Sequence, residues 1–351
     1  SNLPEPTISP NADTQADDYF NTVLYTGNGS NDHSITGVGF QPDWIWFKKR
    51  SGAQSHSLFD STRGTDLRLQ SDTTSADATT TTQLESFDSD GFTVNTNANV
   101  NGSSATYVAW NWKANGGTTV TNEDGSLDST VQANTTAGFS IVTWTGNQTN
   151  GATIGHGLNQ IPQMIIHKNR SVTDDWSVYT ETVGTGKKLF LNDTIAETST
   201  SNHPTTPTNS VFYVGAGVEV NGNGNSMLAY CFASVEGYSK IGSYTANGST
   251  DGTFVYLGFL PSFILSKKSS SSGNWGIWDK LRRNDFNPRD ESIRPDENIE
   301  AYSVDTQYTN IDFVSNGFKI RNVGGEMNQT SGDTYIYMAF AEAPFKYANS
   351  E

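Results

Sequence analysis

Three segments of the chain share one pattern, and this pattern limits the possible folds more than any other feature. Each has a proline, then an apolar run, and then a lysine six residues after the proline, at Pro42–Lys48, Pro162–Lys168 and Pro261–Lys267. Proline has no N–H group to donate to a β-ladder, so it is found mainly at strand starts, edge strands and bulges. The pattern therefore predicts three equivalent strands that each begin at or just after the proline.

The composition indicates an all-β protein with many turns. Hydrophobic residues make up only 34% of the 351 residues, but 11% are aromatic, and there are 33 glycines. Disordered chains contain few aromatic residues, so this chain is expected to fold. Short apolar runs between turn-forming residues are typical of sandwiches, and no segment has helical periodicity over three turns. We predict tandem β-sandwich domains of a jelly-roll-like type, about three in number.

Other short motifs recur in the same order around each proline-led strand. A Tyr-Thr or Trp-Thr pair with a Gly-Asn or Ala-Asn turn precedes the strand, and an apolar closing strand follows it. The prolines lie 120 and 99 residues apart, which is too long for a solenoid repeat of about 20–50 residues. The spacing instead predicts three sandwich units, which we call units 1, 2 and 3, at residues 23–114, 138–237 and 238–351.

Two polar stretches lie outside these units. Residues 1–22 contain Pro4, Pro6 and Pro10 and have no apolar period, so we predict an N-terminal arm that is either a loose terminus or docks on a partner chain. Residues 115–137 are rich in Gly, Thr, Asn and Asp and are predicted to form a linker or an added edge strand. Units 2 and 3 are joined only by the short segment 234–237, which should fix their relative orientation.

The charge of the chain excludes some classes of partner. The formal net charge of −16 repels phosphate backbones and anionic lipid, so we expect no nucleic-acid partner. No run of 18 apolar residues is present, so no membrane insertion is expected. Cys231 is the only cysteine, so no disulfide can form within the chain.

Recognisable catalytic and metal-binding motifs are absent from the sequence. The five histidines lack zinc-site spacing, and no serine lies in a Gly-x-Ser-x-Gly elbow. No glycine-rich loop ends in Gly-Lys-Ser/Thr, and no pair of carboxylates stands out for glycoside hydrolysis. Acidic loops at 88–91, 122–125 and 250–252 offer the oxygen ligands that calcium uses, but Asp-Gly is first a turn signal. We predict a non-enzymatic protein with no catalytic residues, no cofactor and no bound metal.

The aromatic residues allow two interpretations. Trp44 and Trp46 lie at i and i+2 on a strand and point to one face, which favours a sandwich core. Trp176 and Trp275 follow the lysine-bearing strands near a loop, where unit 1 has His56, and are better candidates for surface aromatics that stack on a sugar ring. The three lysines of the repeated pattern are expected to pair with acidic residues at the strand ends.

Three motifs resemble those of a known family. They are the Tyr-Thr-Gly-Asn-Gly start at 25–29, the Gly-Phe-x-Pro-Asp-x-Ile-Trp-x-Lys strand at 39–48 and the Tyr-Ile-Tyr-Met-Ala-Phe-Ala-Glu-Ala-Pro-Phe-Lys ending at 335–346. Together they resemble the β-sandwich repeat domains of an uncharacterised family found in virion structural proteins of tailed phages, many of them marine. The resemblance covers about residues 23–346 and implies a component of the particle. It implies no catalytic residues.

We therefore expect a virion structural protein on the particle surface, as a capsid decoration, fibre or tail component. Its partners would be other virion proteins, and we expect a homo-oligomer. The alternative is a carbohydrate-binding host-attachment module, whose ligand would be a host surface glycan. A glycan-degrading tailspike enzyme is a third hypothesis, which the lack of a distinct carboxylate pair disfavours.

Overall fold

The computed structural model describes residues 6–9, 13–282, 286–303 and 310–343. These residues form an all-β structure of antiparallel sheets, which confirms the predicted fold class. Helical structure in the described part is limited to a 3-10 turn at Ala16–Asp18 and two four-residue helices, α1 (Ala98–Asn101) and α2 (Val218–Asn221). The last three residues of the 335–346 motif lie outside the described residues.

Twenty-eight strands are present in the described residues, and all of the repeated strands predicted from the sequence are among them. The first strand of unit 1 is β1 Phe20–Thr26, which begins three residues before the predicted start of the unit at 23, and we count it as part of unit 1. The unit also contains β2 His33–Thr36, β3 Trp44–Lys49, β4 Ser57–Asp60, β5 Leu67–Arg68, β6 Ala78–Thr79, β7 Leu84–Asp88, β8 Gly91–Val94 and β9 Thr106–Trp112. Between units 1 and 2 lie β10 Val120–Asn122 and β11 Ser129–Asn134. Unit 2 contains β12 Phe139–Thr145, β13 Ala152–Gly155, β14 Met164–Asn169, β15 Ser177–Thr180, β16 Lys187–Phe190, β17 Thr198–Ser199, β18 Val211–Val214 and β19 Ser226–Phe232. Unit 3 contains β20 Ser239–Thr245, β21 Phe254–Tyr256, β22 Pro261–Lys268, β23 Trp275–Asp279, β24 Glu291–Ser292, β25 Tyr302–Ser303, β26 Ile311–Val314, β27 Gly317–Ile320 and β28 Thr334–Ala341.

Each unit contributes four strands in the same order to a large sheet. The orders are β1-β9-β3-β4, β12-β19-β14-β15 and β20-β28-β22-β23. In every case the proline-led strand pairs with the closing strand, and the first strand of the unit pairs with the other side of that closing strand. Smaller sheets accompany them in the orders β2-β8-β7, β13-β18 and β21-β27-β26. These pairings align the three units residue by residue.

The stretch between units 1 and 2 contains two strands. β10 pairs with β11, and β11 pairs along six residues with the first strand of unit 2. With β16 and β17 on the far side, the sheet of unit 2 grows to eight strands. We call residues 120–134 the edge insert. The unit boundaries at 23, 115, 138 and 238 stay a prediction.

The inner faces of the three large sheets share one hydrophobic core. The Trp44 ring of unit 1 lies 4.2 Å from the Tyr230 ring of unit 2, measured between centroids. Phe20 of unit 1 stacks on Phe340 of unit 3 at 4.9 Å, and Phe232 of unit 2 lies 6.2 Å from Phe340. Each unit therefore contacts both others, and the three sheets enclose the core between them. The outer faces of units 1 and 2 pack against their own smaller sheets in two separate clusters.

The recurrent Asn turn is held by an asparagine that precedes the closing strand, and in units 1 and 2 it is the last residue of α1 and α2. In unit 1, Asn101 Oδ1 accepts the Asn28 N–H at 2.9 Å, and its amide donates to the Ser30 carbonyl at 2.8 Å. Asn221 with Asn147 and Asn328 with Asn247 repeat this arrangement. A Cβ on Gly27 would lie 2.3 Å from the Gly102 carbonyl oxygen, so the close approach of the two loops requires glycine there.

The described part of the N-terminal arm packs on its own chain. Ile8 is 1% exposed and belongs to the shared core. Its carbonyl oxygen approaches Gly237, in the short junction between units 2 and 3, so closely that a Cβ there would lie 2.9 Å away. Residues 1–5 and 10–12, with Pro4 and Pro10, lie outside the described residues. The described residues 6–9 of the arm are therefore packed and do not form a loose terminus.

Candidate functional site

Trp176 and Trp275, the predicted surface aromatics, are both fully buried. The Trp176 indole N–H donates to the carbonyl of Gln70 in unit 1 at 2.9 Å, and that of Trp275 donates to Phe190 in unit 2 at 2.7 Å. A sugar ring needs a free aromatic face, so the predicted surface location of both residues is wrong. Their loops are covered by the preceding unit, which sequence position alone does not show. Both rings join neighbouring units instead.

His56 occupies the same position in unit 1 and completes a cycle. Its Nε2 lies 3.0 Å from the Arg294 carbonyl of unit 3, and its Nδ1 accepts the Trp46 indole N–H at 2.8 Å. Because Nδ1 accepts, Nε2 carries the proton, and the ring is a neutral donor to the carbonyl. Burial lowers the pKa of His56 well below 6.5, which agrees with a neutral ring. Unit 1 thus contacts unit 3, unit 2 contacts unit 1, and unit 3 contacts unit 2. We call each of these contacts a seam.

The lysines of the repeated pattern form a second cycle in the same sense. Each buried ammonium group donates to a carbonyl of the preceding unit, and the three pairs are Lys48 to Asn298 at 3.1 Å, Lys168 to Thr74 at 2.9 Å and Lys267 to Thr194 at 3.1 Å. Backbone carbonyls, rather than the expected acidic side chains, are therefore the direct partners. Burial lowers the pKa of all three ammonium groups from 10.5 to about 8, and nearby carboxylates oppose this effect. The recurrence of these lysines follows from joining the units.

The seam between units 1 and 2 also contains a buried ion pair. Arg63 Nε lies 2.6 Å from Asp60 Oδ2, and the Tyr230 hydroxyl of unit 2 donates to the same carboxylate at 2.8 Å. Arg63 also pairs with Asp77, which in turn pairs with Arg170 of unit 2 at 2.7 Å. Ion pairing and hydrogen bonds on several sides offset the free-energy cost of removing these charges from water.

The seam between units 1 and 3 repeats this device, and the third seam does not. Arg282 Nε lies 2.5 Å from Asp279 Oδ2, which accepts the Trp110 indole N–H of unit 1 at 2.9 Å. At the seam between units 2 and 3, the equivalent positions hold Thr180, Val183 and Met338. Sequence reasoning missed these pairs. The signal that could have revealed them is an Asp-x-x-Arg spacing that recurs after two of the three equivalent strands.

The acidic loops considered as calcium sites form turns stabilised by their own side chains. Asp88 accepts the hydroxyls of Ser86 and Thr93 at 2.7 and 2.8 Å. Asn122 Oδ1 accepts the Asp124 N–H at 3.0 Å, which is an Asx turn. These acceptors are therefore committed to local structure.

One group of three carboxylates lies elsewhere, in unit 2. Ligand oxygens of Asp174, Asp175 and Glu219 lie within 4.8 Å of one another. Glu219 is already paired with Lys188, and the Asp175 carboxylate accepts the Asn192 amide at 2.8 Å. Asp174 Oδ1 accepts the Asp175 N–H at 2.9 Å, so all three carboxylates have structural donors, and the group by itself does not identify a cation site.

Ser177 and His203 have a separation suited to nucleophile activation but are inaccessible. Ser177 Oγ lies 3.0 Å from His203 Nε2. The two side chains are 0% and 2% exposed, and the His167 ring lies 5.0 Å from that of His203. Burial lowers the pKa of both histidines, to about 3 for His167. A substrate cannot reach the hydroxyl without opening the unit, so we assign no catalysis to this pair.

The surface of the described residues includes two shallow polar grooves. One, of about 390 Å³, runs between Thr7 of the arm and the 234–236 junction. The other, of about 250 Å³, is lined by hydroxyl side chains of β10, β11 and β12 and by Arg170. Neither groove brings together groups with complementary catalytic roles. No helix in the described ranges is long and apolar enough to cross a membrane.

Comparisons with known proteins identify a family without an assigned activity. No curated protein and no solved structure matches the chain significantly. A family model described as a domain of unknown function, DUF7483, matches residues 15–344, which include the described parts of all three units. The chain therefore belongs to the DUF7483 family.

Proposed function

We propose that this chain is a non-enzymatic structural protein of a tailed-phage particle, exposed on the particle surface as a capsid decoration, fibre or tail component. The observation that carries the proposal is the double cycle of hydrogen bonds between units, made by the lysines and by His56, Trp176 and Trp275. These bonds lock three units around one core. A locked body with loops outside its core suits a protein that keeps its shape and presents surfaces to other proteins.

The chemistry of the conspicuous side chains supports a role in assembly. The recurrent lysines, the equivalent Trp and His residues and the two Asp–Arg pairs all have partners that join units. Their burial is explained by closure of the fold, so none needs a substrate to account for its position. The motifs at 25–29, 39–48 and 335–346 resemble those of virion β-sandwich domains. This resemblance supports the phage particle as the location in the proposal.

We further propose that the chain acts through contacts with other virion proteins and with copies of itself. The three related units give one chain three related outer surfaces, and symmetric assembly is the usual way to repeat a contact. Particle symmetry then sets the number of copies.

Purified particles test the proposal directly. Gradient-purified particles are analysed by quantitative mass spectrometry, and particles labelled with antibodies against the recombinant chain are imaged by electron microscopy. We expect peptides of the chain in a constant ratio to the major capsid protein across the particle peak, with label at regular surface positions. A chain that sediments only in particle-free fractions contradicts the proposal. Pre-immune serum is the control for the label.

A carbohydrate-binding host-attachment module is the second proposal, but it loses the two tryptophans named for it. The exposed aromatic side chains of the described residues are Phe254, Tyr256 and Phe286, all in unit 3. A glycan array probed with the purified chain tests this alternative. Binding to a defined glycan that is lost in Tyr256→Ala favours attachment, whereas a blank array leaves assembly as the better account.

A further inference from the structure

The edge insert covers one side of unit 2. β11 pairs along β12, and the segment before it pairs with β13 of the smaller sheet. The Leu127 N–H donates to the Thr153 carbonyl at 3.2 Å, and the Ser129 hydroxyl donates to the Gly155 carbonyl at 2.8 Å. One stretch of chain thus satisfies outward backbone groups on the edge strands of both sheets of this unit.

The first edge strand on the equivalent side of unit 3 is β20. The Ala246 N–H donates to the Asp333 carbonyl, on the side of β28. Backbone groups alternate in direction along an antiparallel strand, so Ser243 directs its N–H and C=O away from the sheet. In unit 2 the equivalent residue, Thr143, pairs with Thr130 of the edge insert. No described residue takes that place beside Ser243.

The second edge strand is β21, in the smaller sheet of unit 3. The Leu257 N–H donates to Asn316 on the inner side, so Phe254 and Tyr256 direct their backbone groups outward. Lys240 Nζ binds the Tyr256 carbonyl at 2.9 Å. Within the described residues, the outward N–H and C=O of Phe254 have no protein partner. We call the outer edges of β20 and β21 the open side.

The open side carries two aromatic rings that the fold does not need. Phe254 is 45% exposed and Tyr256 is 60% exposed. Their equivalents are Ser34 and Thr36 in unit 1 and Thr153 and Gly155 in unit 2, as the ladder pairings show. Two units therefore form the same strand with small residues at these positions. Exposed aromatic residues on an edge strand mark a candidate contact surface, because natural edge strands otherwise tend to avoid them.

The charge near the open side differs from that of the whole chain. The Lys240 ammonium lies 5.3 Å from the Tyr256 ring centroid, and Lys319 is the ladder neighbour of Phe254. Lys319 is paired with Asp251, which leaves Lys240 as the excess charge on this side. The edge insert that covers unit 2 contains Glu123, Asp124 and Asp128 and no basic residue. Lys240 therefore gives this side one positive charge that no ion pair of the described residues offsets, which suits an acidic partner segment.

We propose that the open side of unit 3 binds an extended, acidic segment of a partner protein by strand addition, as the edge insert binds unit 2. Main-chain hydrogen bonds to Ser243 and Phe254 supply the pairing, and apolar side chains of the segment pack on the two rings. In unit 2 a Cβ on Gly155 would lie 1.6 Å from Asn122 Oδ1, so a segment that follows the course of the edge insert must shift at the position of Asn122 to pass beside the Tyr256 ring. The proposal deepens the assembly role by naming the surface and the kind of partner.

A peptide taken from the chain itself provides the probe. A capped synthetic peptide of residues 118–136 is added to the intact purified protein, and amide hydrogen exchange is followed by mass spectrometry. We expect new protection at residues 241–245 and 253–256 and none at 139–145 or 152–155, where the edge insert already lies. Phe254→Ser with Tyr256→Thr, which copies unit 1, is expected to weaken binding about tenfold through loss of two aromatic contacts.

Controls separate this proposal from its alternatives. Ser34→Ala with Thr36→Ala in unit 1 is expected to leave peptide binding unchanged, and a peptide with its three acidic residues replaced by lysine is expected to bind more weakly. Absence of protection at millimolar peptide, or equal binding by the Ser/Thr variant, overturns the proposal. If residues 241–245 and 253–256 become protected as the protein concentration rises without peptide, the proposal is overturned in favour of a second copy of the chain. If a glycan protects these residues and the peptide does not, it is overturned in favour of host attachment. The measurement uses no particles, so its outcome is independent of the particle test.

Discussion

The buried ion pair at the seam between units 1 and 2 can be exchanged for the uncharged residues that occupy the equivalent positions at the third seam. Arg63→Val removes the cation and leaves the Asp60 carboxylate 0% exposed, with only the Tyr230 hydroxyl and local backbone groups as donors. Removing one partner of a buried pair typically lowers the free energy of unfolding by about 3–5 kcal/mol. We expect a loss of that size. Asp77 keeps its ion pair with Arg170, so its carboxylate should add little to the loss of free energy of unfolding.

The matched variant is Asp60→Thr with Arg63→Val and Tyr230→Met, which copies Thr180, Val183 and Met338. Replacing a whole buried ionic group by apolar residues of similar volume is often neutral or stabilising, and volume-conserving exchanges usually cost less than about 1.5 kcal/mol. We therefore expect the triple variant to be more stable than the single variant, because it leaves no buried carboxylate without its cation. The new side chains are smaller than those they replace, and this difference in volume should determine how much free energy of unfolding the triple variant still loses.

Urea unfolding followed by tryptophan fluorescence and far-UV circular dichroism measures both effects, with the dependence on denaturant checked for constancy. Lys187→Gln is the control, because its pair with Glu197 is on the surface, and it should change the free energy of unfolding by less than about 1 kcal/mol. The reasoning is refuted if Arg63→Val behaves like this control. It is also refuted if the triple variant is as unstable as the single one, since stability would then depend on these particular side chains.

Three further outcomes are expected. First, burial holds the pKa of His167 at about 3, so as the pH falls below 6.5 the unfolded chain binds a proton that the native chain does not; this group should lower the free energy of unfolding by about 2 kcal/mol between pH 7 and pH 5. Urea titrations at both values check this, and His167→Phe should make the fall smaller; an unchanged fall would exclude His167 as its source. Second, Gly27→Ala should destabilise the chain by about 1–3 kcal/mol, because its Cβ would meet the Gly102 carbonyl, whereas Ala246→Gly at the equivalent position of unit 3 should cost about 1 kcal/mol or less. The shift of the urea midpoint measures both, and equal shifts would argue against the steric cause. Third, burial raises the pKa of the Cys231 thiol, so a colourless disulfide reagent that releases a dye should react with it only in urea above the unfolding transition. Rapid reaction in native buffer would show that unit 2 opens locally.

The strands and their repetition could be predicted from the sequence because they depend on local signals. The start of the proline-led strand follows from the missing N–H of proline, and alternation of apolar residues marks the closing strands. These signals placed Trp44 and Trp46 in a core, where both are fully buried. Alternation along a strand therefore predicted burial correctly for these two residues inside β3.

Local sequence patterns do not show which unit covers a residue, and the predicted surface location of Trp176 was wrong for this reason. Trp176 follows a loop and carries a polar N–H group, which are features of a surface aromatic. Its acceptor is the Gln70 carbonyl of another unit, 106 residues away, and no periodicity encodes that distance. The lysines were misjudged for the same reason, because a backbone carbonyl from another unit leaves no mark in the sequence. The sequence signal that was available is the recurrence of a polar residue at equivalent positions of the three units, which indicates a contact between units.

The closing seam between units 1 and 3 has a consequence for the order of events during folding. Trp110 meets Asp279 across 169 residues of chain, and Lys48 meets the Asn298 carbonyl across 250. Contacts of such sequence separation slow folding, because the loop entropy is lost before the contact forms. On the ribosome, the inward faces of units 1 and 2 emerge long before β28 is made, and such exposed apolar surface favours aggregation. Truncation after unit 2 is therefore expected to yield an aggregation-prone chain and not a smaller soluble protein.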